Sequence, residues 1–190
     1  MREIDPTSLY YLAQNFKGDI DHIYIHWTAG WYGSYFDDYH INIDGDGTIL
    51  LSTDYLSERL SHTWRRNTRS IGIALCCCGD ASAKADGTID FGSHPPTQEQ
   101  IESCAIVVDV LCAALGLELT NPTDDNGDPI ISEDMAVLTH CEAAELDDYG
   151  PSTTCERWDL WYLPDYINGG FEPGGVLIRG KAMWYYQHGY

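Results

Sequence analysis

The chain has 190 residues, and its formal net charge of -20, from 30 Asp and Glu against 10 Lys and Arg, argues against a nucleic acid or an anionic membrane surface as partner. Hydrophobic residues make up 44% of the chain, enough to fill one core, so global disorder is excluded. No stretch approaches the roughly 18 apolar residues that span a bilayer, and the N-terminus lacks the apolar run of a secretory signal, so we expect synthesis in the cytoplasm without membrane insertion.

The first third of the chain predicts a helix, a buried strand and a hairpin. The helix begins after Asp5, a candidate N-cap, and ends by Gly18. Residues 22–27 are β-branched and aromatic, which predicts a largely buried strand with His26 near its end. Residues 39–51 alternate around a Gly-rich turn and predict a β-hairpin.

The middle of the chain predicts a second buried strand and the clearest helix. Residues 70–76 form a short apolar run that is typical of a buried strand. Thr97, with Gln100 three residues later, matches a capping box, and the apolar residues that follow keep a helical period until Gly116.

The last third of the chain predicts shorter elements. Residues 135–139 predict a short strand that leads into His140, and residues 141–159 predict a polar, acidic loop. Residues 176–179 predict another short strand, and residues 182–186 predict a terminal helix. Strands and helices mix without an internal repeat, which indicates one α/β domain.

Two histidines, His26 and His140, each end an apolar β-like run and lead into a loop, where side chains of separate strands converge on a cleft. With an Asp or Cys downstream, they could supply three protein ligands to a catalytic zinc that keeps a fourth position for water. Spacing alone is weak evidence, because no HExxH motif is present. Glu142 is expected to be a solvated loop charge, with a role beside such a metal as the alternative. Four other histidines are expected to be core or surface residues: His22, His40, His94 and His188.

Seven cysteines, an odd number that includes the run 76–78, fit no regular disulfide framework. We expect most of them to be reduced thiols packed as small hydrophobic side chains. A thiol-dependent redox protein built on residues 76–78 fits poorly, because no adjacent cation lowers the pKa of these thiols.

Four short parts of the chain, between about residues 20 and 165, follow one another in an order and at a spacing that are typical of a known family. They are residues 23–30 (IYIHWTAG), 39–49 (YHINIDGDGTI), 60–62 (LSH) with Asn67 and 70–73 (SIGI), and 138–140 (LTH). Together they resemble the zinc N-acetylmuramoyl-L-alanine amidases, whose fold is shared by peptidoglycan recognition proteins and phage amidase lysozymes. The resemblance implies a single catalytic domain over residues 1–190, with a mixed central β-sheet flanked by helices, a core of about 20–165 and a C-terminal extension of 166–190.

The resemblance also implies a Zn2+ cofactor held by His26, His140 and a third ligand, Asp or Cys, further along the chain. In the family, a cationic residue commonly lies two positions before the third ligand. Arg157 has that place relative to Asp159, whereas Cys155 has a threonine there. Asp159 is therefore the favoured ligand, and Cys155 is the alternative.

Further site residues follow from the same resemblance. Tyr39 lies where similar phage amidases have a catalytic tyrosine, with an aromatic side chain packed at the mouth of the cleft as the alternative. Arg157 takes the place of a lysine found in many relatives, and either side chain can stabilise an oxyanion. His62 and Asn67 are expected to contact the substrate. Independently of the resemblance, the cluster of Arg65, Arg66 and Arg69 beside His62 is expected to receive carboxylates of the stem peptide, with a surface role as the alternative.

The activity implied is zinc-dependent hydrolysis of the amide bond between N-acetylmuramic acid and L-alanine in peptidoglycan. We expect a phage or prophage endolysin that acts on the cell wall after release, with a bacterial recycling enzyme as an alternative. A non-catalytic peptidoglycan-binding module of the same fold is the second candidate. The expected partner is peptidoglycan rather than nucleic acid, and the oligomeric state is open.

Overall fold

The computed structural model of the protein describes residues 1–83, 89–150 and 155–189, without the side chains of 155 and 156. In chain order, the elements are β1 (Arg2–Glu3), α1 (Pro6–Gln14), β2 (His22–Trp27), β3 (Ile41–Ile43), β4 (Ile49–Leu51), β5 (Ser70–Leu75), β6 (Ser82–Ala83), β7 (Ile89–Asp90), α2 (Gln98–Leu115), β8 (Val137–Thr139), α3 (His140–Leu146), α4 (Cys155–Trp158), β9 (Tyr162–Pro164), β10 (Phe171–Pro173) and α5 (Gly174–His188).

The central feature is a six-stranded mixed sheet with strand order β1-β4-β3-β5-β2-β8. Strand β2 lies between β5 and β8 and is parallel to both, with Ile25 opposite Thr139 and His26 opposite Ala74. Because these strands are parallel, their carboxyl ends lie at the same edge of the sheet. His26 and His140 are therefore brought to one edge, the usual place for a site in an open α/β sheet.

The predicted elements of the first 116 residues are confirmed. Asp5 caps α1, the strand at 22–27 is buried, and the hairpin is formed by β3 and β4. Helix α2 begins with the capping box of Thr97 and Gln100 and ends at Gly116, which has a left-handed backbone conformation (φ 73°). The Gln100 amide also donates to backbone carbonyls of β3 and of the residue after β5, which holds the helix against the sheet.

One apolar core joins the sheet to the helices α1, α2 and α5. Leu9 of α1, Ile25 of β2, Leu111 of α2 and Ile178 of α5 all belong to it and are buried. The C-terminal helix therefore packs on the same core as the sheet. The division into a core of about 20–165 and an extension stays a prediction.

The predicted strand at 176–179 is wrong, because these residues lie inside α5, which continues through Gly180. A short apolar run has no periodicity that separates a strand from a buried helix segment, so tertiary packing decides. One face of α5 is buried through residues that recur every three or four positions: Gly174, Gly175, Ile178, Arg179 and Ala182.

The predicted polar loop at 141–159 is wrong in part. Helix α3 begins at His140, directly after β8, and its N-terminus is closed by a capping box of Thr139 and Glu142. The acidic composition of the segment hid this T-x-x-E signal. Helix α4 (Cys155–Trp158) follows further along the same segment.

The cysteines behave as predicted wherever their side chains are described. Six are free thiols, and five of these are buried: Cys76, Cys77, Cys78, Cys104 and Cys112. Burial raises the pKa of Cys76 and of Cys112 to about 12, so neither is a reactive thiolate at neutral pH.

Among the described residues, no helix combines the length and the apolar character that crossing a membrane would need.

Candidate metal centre

Three side chains from distant parts of the chain meet at the carboxyl edge of the sheet. His26 lies near the end of β2, His140 is the first residue of α3, and Asp159 follows α4. The ligand atoms of the three residues all lie within 4.8 Å of one another. The sequence-predicted ligand set His26, His140 and Asp159 is thus brought together, and Cys155, the alternative, has its side chain outside the described residues.

The Asp159 carboxylate is the centre of this group. Its Oδ2 lies 3.1 Å from Nδ1 of His26 and 2.9 Å from Nδ1 of His140, and its Oδ1 accepts a hydrogen bond from the Trp27 amide at 2.5 Å. The Asp159 carbonyl accepts from the Cys141 amide. Burial alone would raise the pKa of Asp159, but hydrogen bonds from the two imidazoles hold it below the usual value.

The His26 imidazole is fully buried, and burial lowers its pKa to about 4 despite the nearby Asp159 carboxylate. His26 is therefore neutral at pH 7, the form that binds a metal ion. Two imidazoles and one carboxylate form a donor set that suits catalytic zinc, which takes three protein ligands and keeps one open position. The residues present fit such an ion.

The hydroxyl of Thr63 orients the ring of His26 from the opposite side. Thr63 Oγ1 lies 3.2 Å from Nε2 of His26 and 2.9 Å from Nδ1 of His62. A partner on the second ring nitrogen fixes the tautomer and orientation of a ligating histidine. Sequence reasoning missed Thr63, although it directly follows the segment 60–62 that contributes to the resemblance.

Tyr39 and His62 both lie next to His26, as the predicted site requires. The ring centroids of Tyr39 and His26 are 5.0 Å apart, and those of His62 and His26 are 5.5 Å apart. His62 is buried, and burial lowers its pKa to about 2, with His26 as a further cause. Gly72 makes room for it, because a Cβ there would lie 2.6 Å from Cγ of His62.

Asn67 and Arg65 have different environments. The Asn67 side-chain oxygen accepts hydrogen bonds from the amides of His62 and Thr63, at 3.1 and 2.7 Å, so it holds the loop that carries them. The exposed Arg65 has its guanidinium carbon 4.5 Å from the ring centroid of Trp64, which is itself 40% exposed. Their contact with substrate stays a prediction.

The Arg157 guanidinium contacts the end of α3 and the segment after it. It donates to the carbonyls of Tyr149 and Gly150 and to the carboxylates of Glu145 and Asp148. Stabilisation of an oxyanion by Arg157 stays a prediction, and it would require the guanidinium to exchange some of these partners.

Glu142 is not the solvated loop charge that the sequence predicted. Only 6% of the residue is exposed, and its carboxylate pairs with Arg179 of α5. The T-x-x-E pattern from Thr139 to Glu142 could have revealed the cap, but no sequence signal identified Arg179 as the partner.

Comparison with known proteins identifies the family. A sequence model described as N-acetylmuramoyl-L-alanine amidase matches residues 16–157 and so ends before Asp159 and α5. No curated protein matches the chain. One similar solved structure is the endolysin N-acetylmuramoyl-L-alanine amidase LysCS from Clostridium intestinale URNW, with a TM-score of 0.40 and 20% identity, over 52% of this chain and 65% of that one. Since the family match spans most of its length, the chain belongs to the N-acetylmuramoyl-L-alanine amidase family.

Proposed function

We propose that this protein hydrolyses the amide bond between N-acetylmuramic acid and L-alanine in peptidoglycan, with zinc held by His26, His140 and Asp159. The observation that carries the proposal is the convergence of two imidazole Nδ1 atoms on one buried carboxylate oxygen. Zinc, when bound, polarises the amide carbonyl and lowers the pKa of a coordinated water towards about 7.

The protein's own residues prepare the site for that chemistry. Thr63 holds the His26 ring, and the Trp27 amide holds the Asp159 carboxylate, so both ligands keep their orientation without substrate. A preorganised site has little left to rearrange during the reaction.

The remaining predicted residues act on the substrate in this proposal. The Tyr39 hydroxyl would orient the attacking water or take part in proton transfer, since its ring lies against that of His26. Arg157 would stabilise the developing oxyanion, and Arg65 would bind stem-peptide carboxylates.

We extend the proposal to lysis of the cell wall by a phage or prophage enzyme. The size of the substrate distinguishes a lytic enzyme from a recycling enzyme. A lytic enzyme is expected to cleave intact, insoluble cell walls, whereas an enzyme that cleaves only soluble muropeptides would contradict the lytic role.

The central experiment combines zinc content with release of new N-terminal L-alanine from purified peptidoglycan. Wild type is expected to hold about one zinc per chain and to cleave. Asp159→Asn, which keeps the side-chain shape but removes the charge, is expected to lose both properties. Asp109→Asn is the matched control, because Asp109 is also a buried carboxylate but lies on α2, where burial raises its pKa.

Three results would contradict the proposal or part of it. No zinc in wild type would overturn the metal centre. Zinc without cleavage would favour the peptidoglycan-binding module. Loss of zinc in Cys155→Ala but not in Asp159→Asn would move the third ligand to Cys155.

A further inference from the structure

A buried ion pair links the C-terminal helix to the helix that begins with His140. The Arg179 guanidinium of α5 donates two hydrogen bonds to Glu142 of α3, Nη1 to Oε2 at 2.6 Å and Nη2 to Oε1 at 2.8 Å. Arg179 has no exposed surface. Such a two-pronged contact fixes the direction of the carboxylate as well as its distance.

The same carboxylate closes the N-terminus of α3. Glu142 Oε2 accepts a hydrogen bond from the Thr139 amide at 2.9 Å, while the Glu142 amide donates to the Thr139 hydroxyl at 3.2 Å. His140 lies between these residues and is the first residue of the helix. The backbone position of His140 therefore depends on this capping box.

Arg179 also contacts two neighbouring segments. Its Nη1 lies 3.3 Å from the carbonyl of Val137 in β8, and its Nε donates to the Asn121 side chain at 3.2 Å. One guanidinium thus joins the strand before His140 to the first turn of the helix after it.

Two glycines let the N-terminus of α5 come this close. A Cβ at Gly175 would collide with the Glu142 carboxylate and with Arg179, and a Cβ at Gly174 would collide with the carbonyl of Leu160. Leu160 directly follows Asp159. The beginning of α5 is therefore packed against the segments that carry two of the three candidate ligands.

Stability alone does not account for a buried ion pair. The cost of desolvating two charges often cancels their attraction, so an apolar pair of similar volume can be equally stable. What the pair adds is a fixed geometry at the N-terminus of α3.

We propose that Arg179 is a positioning residue for the metal centre, which holds His140 in place through the Glu142 carboxylate. The zinc part of this inference rests on the proposed function. The family match covers residues 16–157, and helix α5 lies beyond it. The residue that positions His140 in this inference therefore lies outside the part of the chain that matches the family.

The test compares Arg179→Met with Lys181→Met. Lys181 is on the same helix and pairs with Glu102 of α2, so its loss removes an ion pair of α5 that does not contact α3. We expect Arg179→Met to weaken zinc binding about tenfold or more, measured against a chelator. Hydrogen exchange at the amides of 140–146 should become faster, while exchange in α1 should not change. Lys181→Met should change neither quantity.

Two further variants keep the test decisive. Arg179→Lys retains the charge but not the paired hydrogen bonds, so it should restore folding better than it restores zinc affinity. If Arg179→Met does not fold, the double variant Glu142→Gln with Arg179→Met replaces it, because it leaves no unpaired buried charge. We expect weak zinc binding and fast hydrogen exchange at 140–146 in the double variant too.

The inference is overturned if a folded Arg179 variant binds zinc within twofold of wild type and exchanges normally at 140–146. That result would leave the proposed function intact. If wild type itself binds no zinc, the proposed function fails, and the exchange rates at 140–146 alone decide whether Arg179 positions His140.

Discussion

Two pairs of histidines lie side by side in this protein, His26 with the half-buried His140 and His40 with His62, and their partners differ. His26 and His140 both direct Nδ1 at the Asp159 carboxylate. His40 contacts only backbone groups in its described hydrogen bonds: Nδ1 accepts from the Gly72 amide at 3.0 Å, and Nε2 lies 2.8 Å from the carbonyl of Glu58.

His62, which pairs with His40, is held by hydroxyl groups. Its Nδ1 lies 2.9 Å from Thr63 Oγ1 and its Nε2 lies 3.4 Å from Ser70 Oγ. Burial lowers the pKa of His26, His40 and His62 alike. A lowered pKa therefore does not identify the site here, whereas convergence of ring nitrogens on a carboxylate does.

The largest expected effect is on amide hydrolysis, and it should appear when one histidine of the first pair, but not of the second, is replaced. His140→Ala should reduce amide hydrolysis by more than about a hundredfold, because even the outer partners of a bound metal contribute about 10- to 100-fold. His40→Ala should keep zinc but lose about 2–4 kcal/mol of unfolding free energy, because the Gly72 amide loses its buried acceptor. Activity, zinc content and urea denaturation of both variants check this. Equal loss of zinc in both would erase the distinction.

Acidification should destabilise the folded protein through every buried histidine, whether or not that histidine belongs to the candidate metal centre. In the metal-free protein, the pKa of His26 falls from the usual 6.5 to about 4. Between about pH 6.5 and pH 4, the unfolded chain binds a proton at His26 and the folded chain does not. The stability that the neutral His26 contributes is therefore fully present above about pH 6.5 and is lost as the pH falls towards 4. The loss from His26 alone is about 3 kcal/mol, and His40 and His62 act in the same direction.

Urea denaturation in a chelator at pH 7 and pH 5 should show about 2 kcal/mol of this loss, because pH 5 is still above the pKa of His26 in the folded protein. Replacement of His26 by Asn should make the dependence on pH shallower. Equal stability at the two pH values would contradict the burial of neutral imidazoles.

A smaller effect is expected where His62 packs on the sheet. Gly72→Ala would force the His62 ring to move, because the new Cβ would lie 2.6 Å from its Cγ, and we expect a loss of about 1–3 kcal/mol. Gly180→Ala is the control: alanine gains about 0.5–1 kcal/mol over glycine within a helix, but the new Cβ would lie 3.3 Å from Asn121 Nδ2, so we expect a net change smaller than that of Gly72→Ala. Thermal or urea unfolding compares them, and a neutral Gly72→Ala would show that the His62 ring is not tightly packed.

The smallest expected effect concerns the thiols. The five buried cysteines should resist alkylation in the folded protein, and brief treatment at neutral pH should leave amidase activity unchanged. Mass spectrometry with a parallel activity assay checks this. Inactivation in step with labelling would contradict a centre made only of histidine and carboxylate ligands.

The sequence predicted the sheet and α2 well because their signals are local. The buried strand at 22–27, the hairpin at 39–51 and the capping box at Thr97 each depend on neighbouring residues alone. The run 176–179 failed for the opposite reason, since only packing of α5 against the core makes it helical.

The candidate site was predictable only in part. His26, His140 and Asp159 could be proposed from strand ends and from the family resemblance. The pairing of Arg179 with Glu142 spans 37 residues and depends on how α5 packs, so no local pattern reveals it. The same holds for Thr63, whose contact with His26 joins a loop to strand β2 at the edge of the sheet.

The most direct test of the metal centre is X-ray absorption at the zinc edge of the wild-type protein. We expect ligands at about 2.0–2.2 Å from nitrogen and oxygen only, with the scattering of two imidazoles, from His26 and His140. A shell at about 2.3 Å would reveal a cysteine sulfur in place of Asp159, and scattering from three or more imidazoles would bring His40 or His62 into the site. Either result would contradict the account.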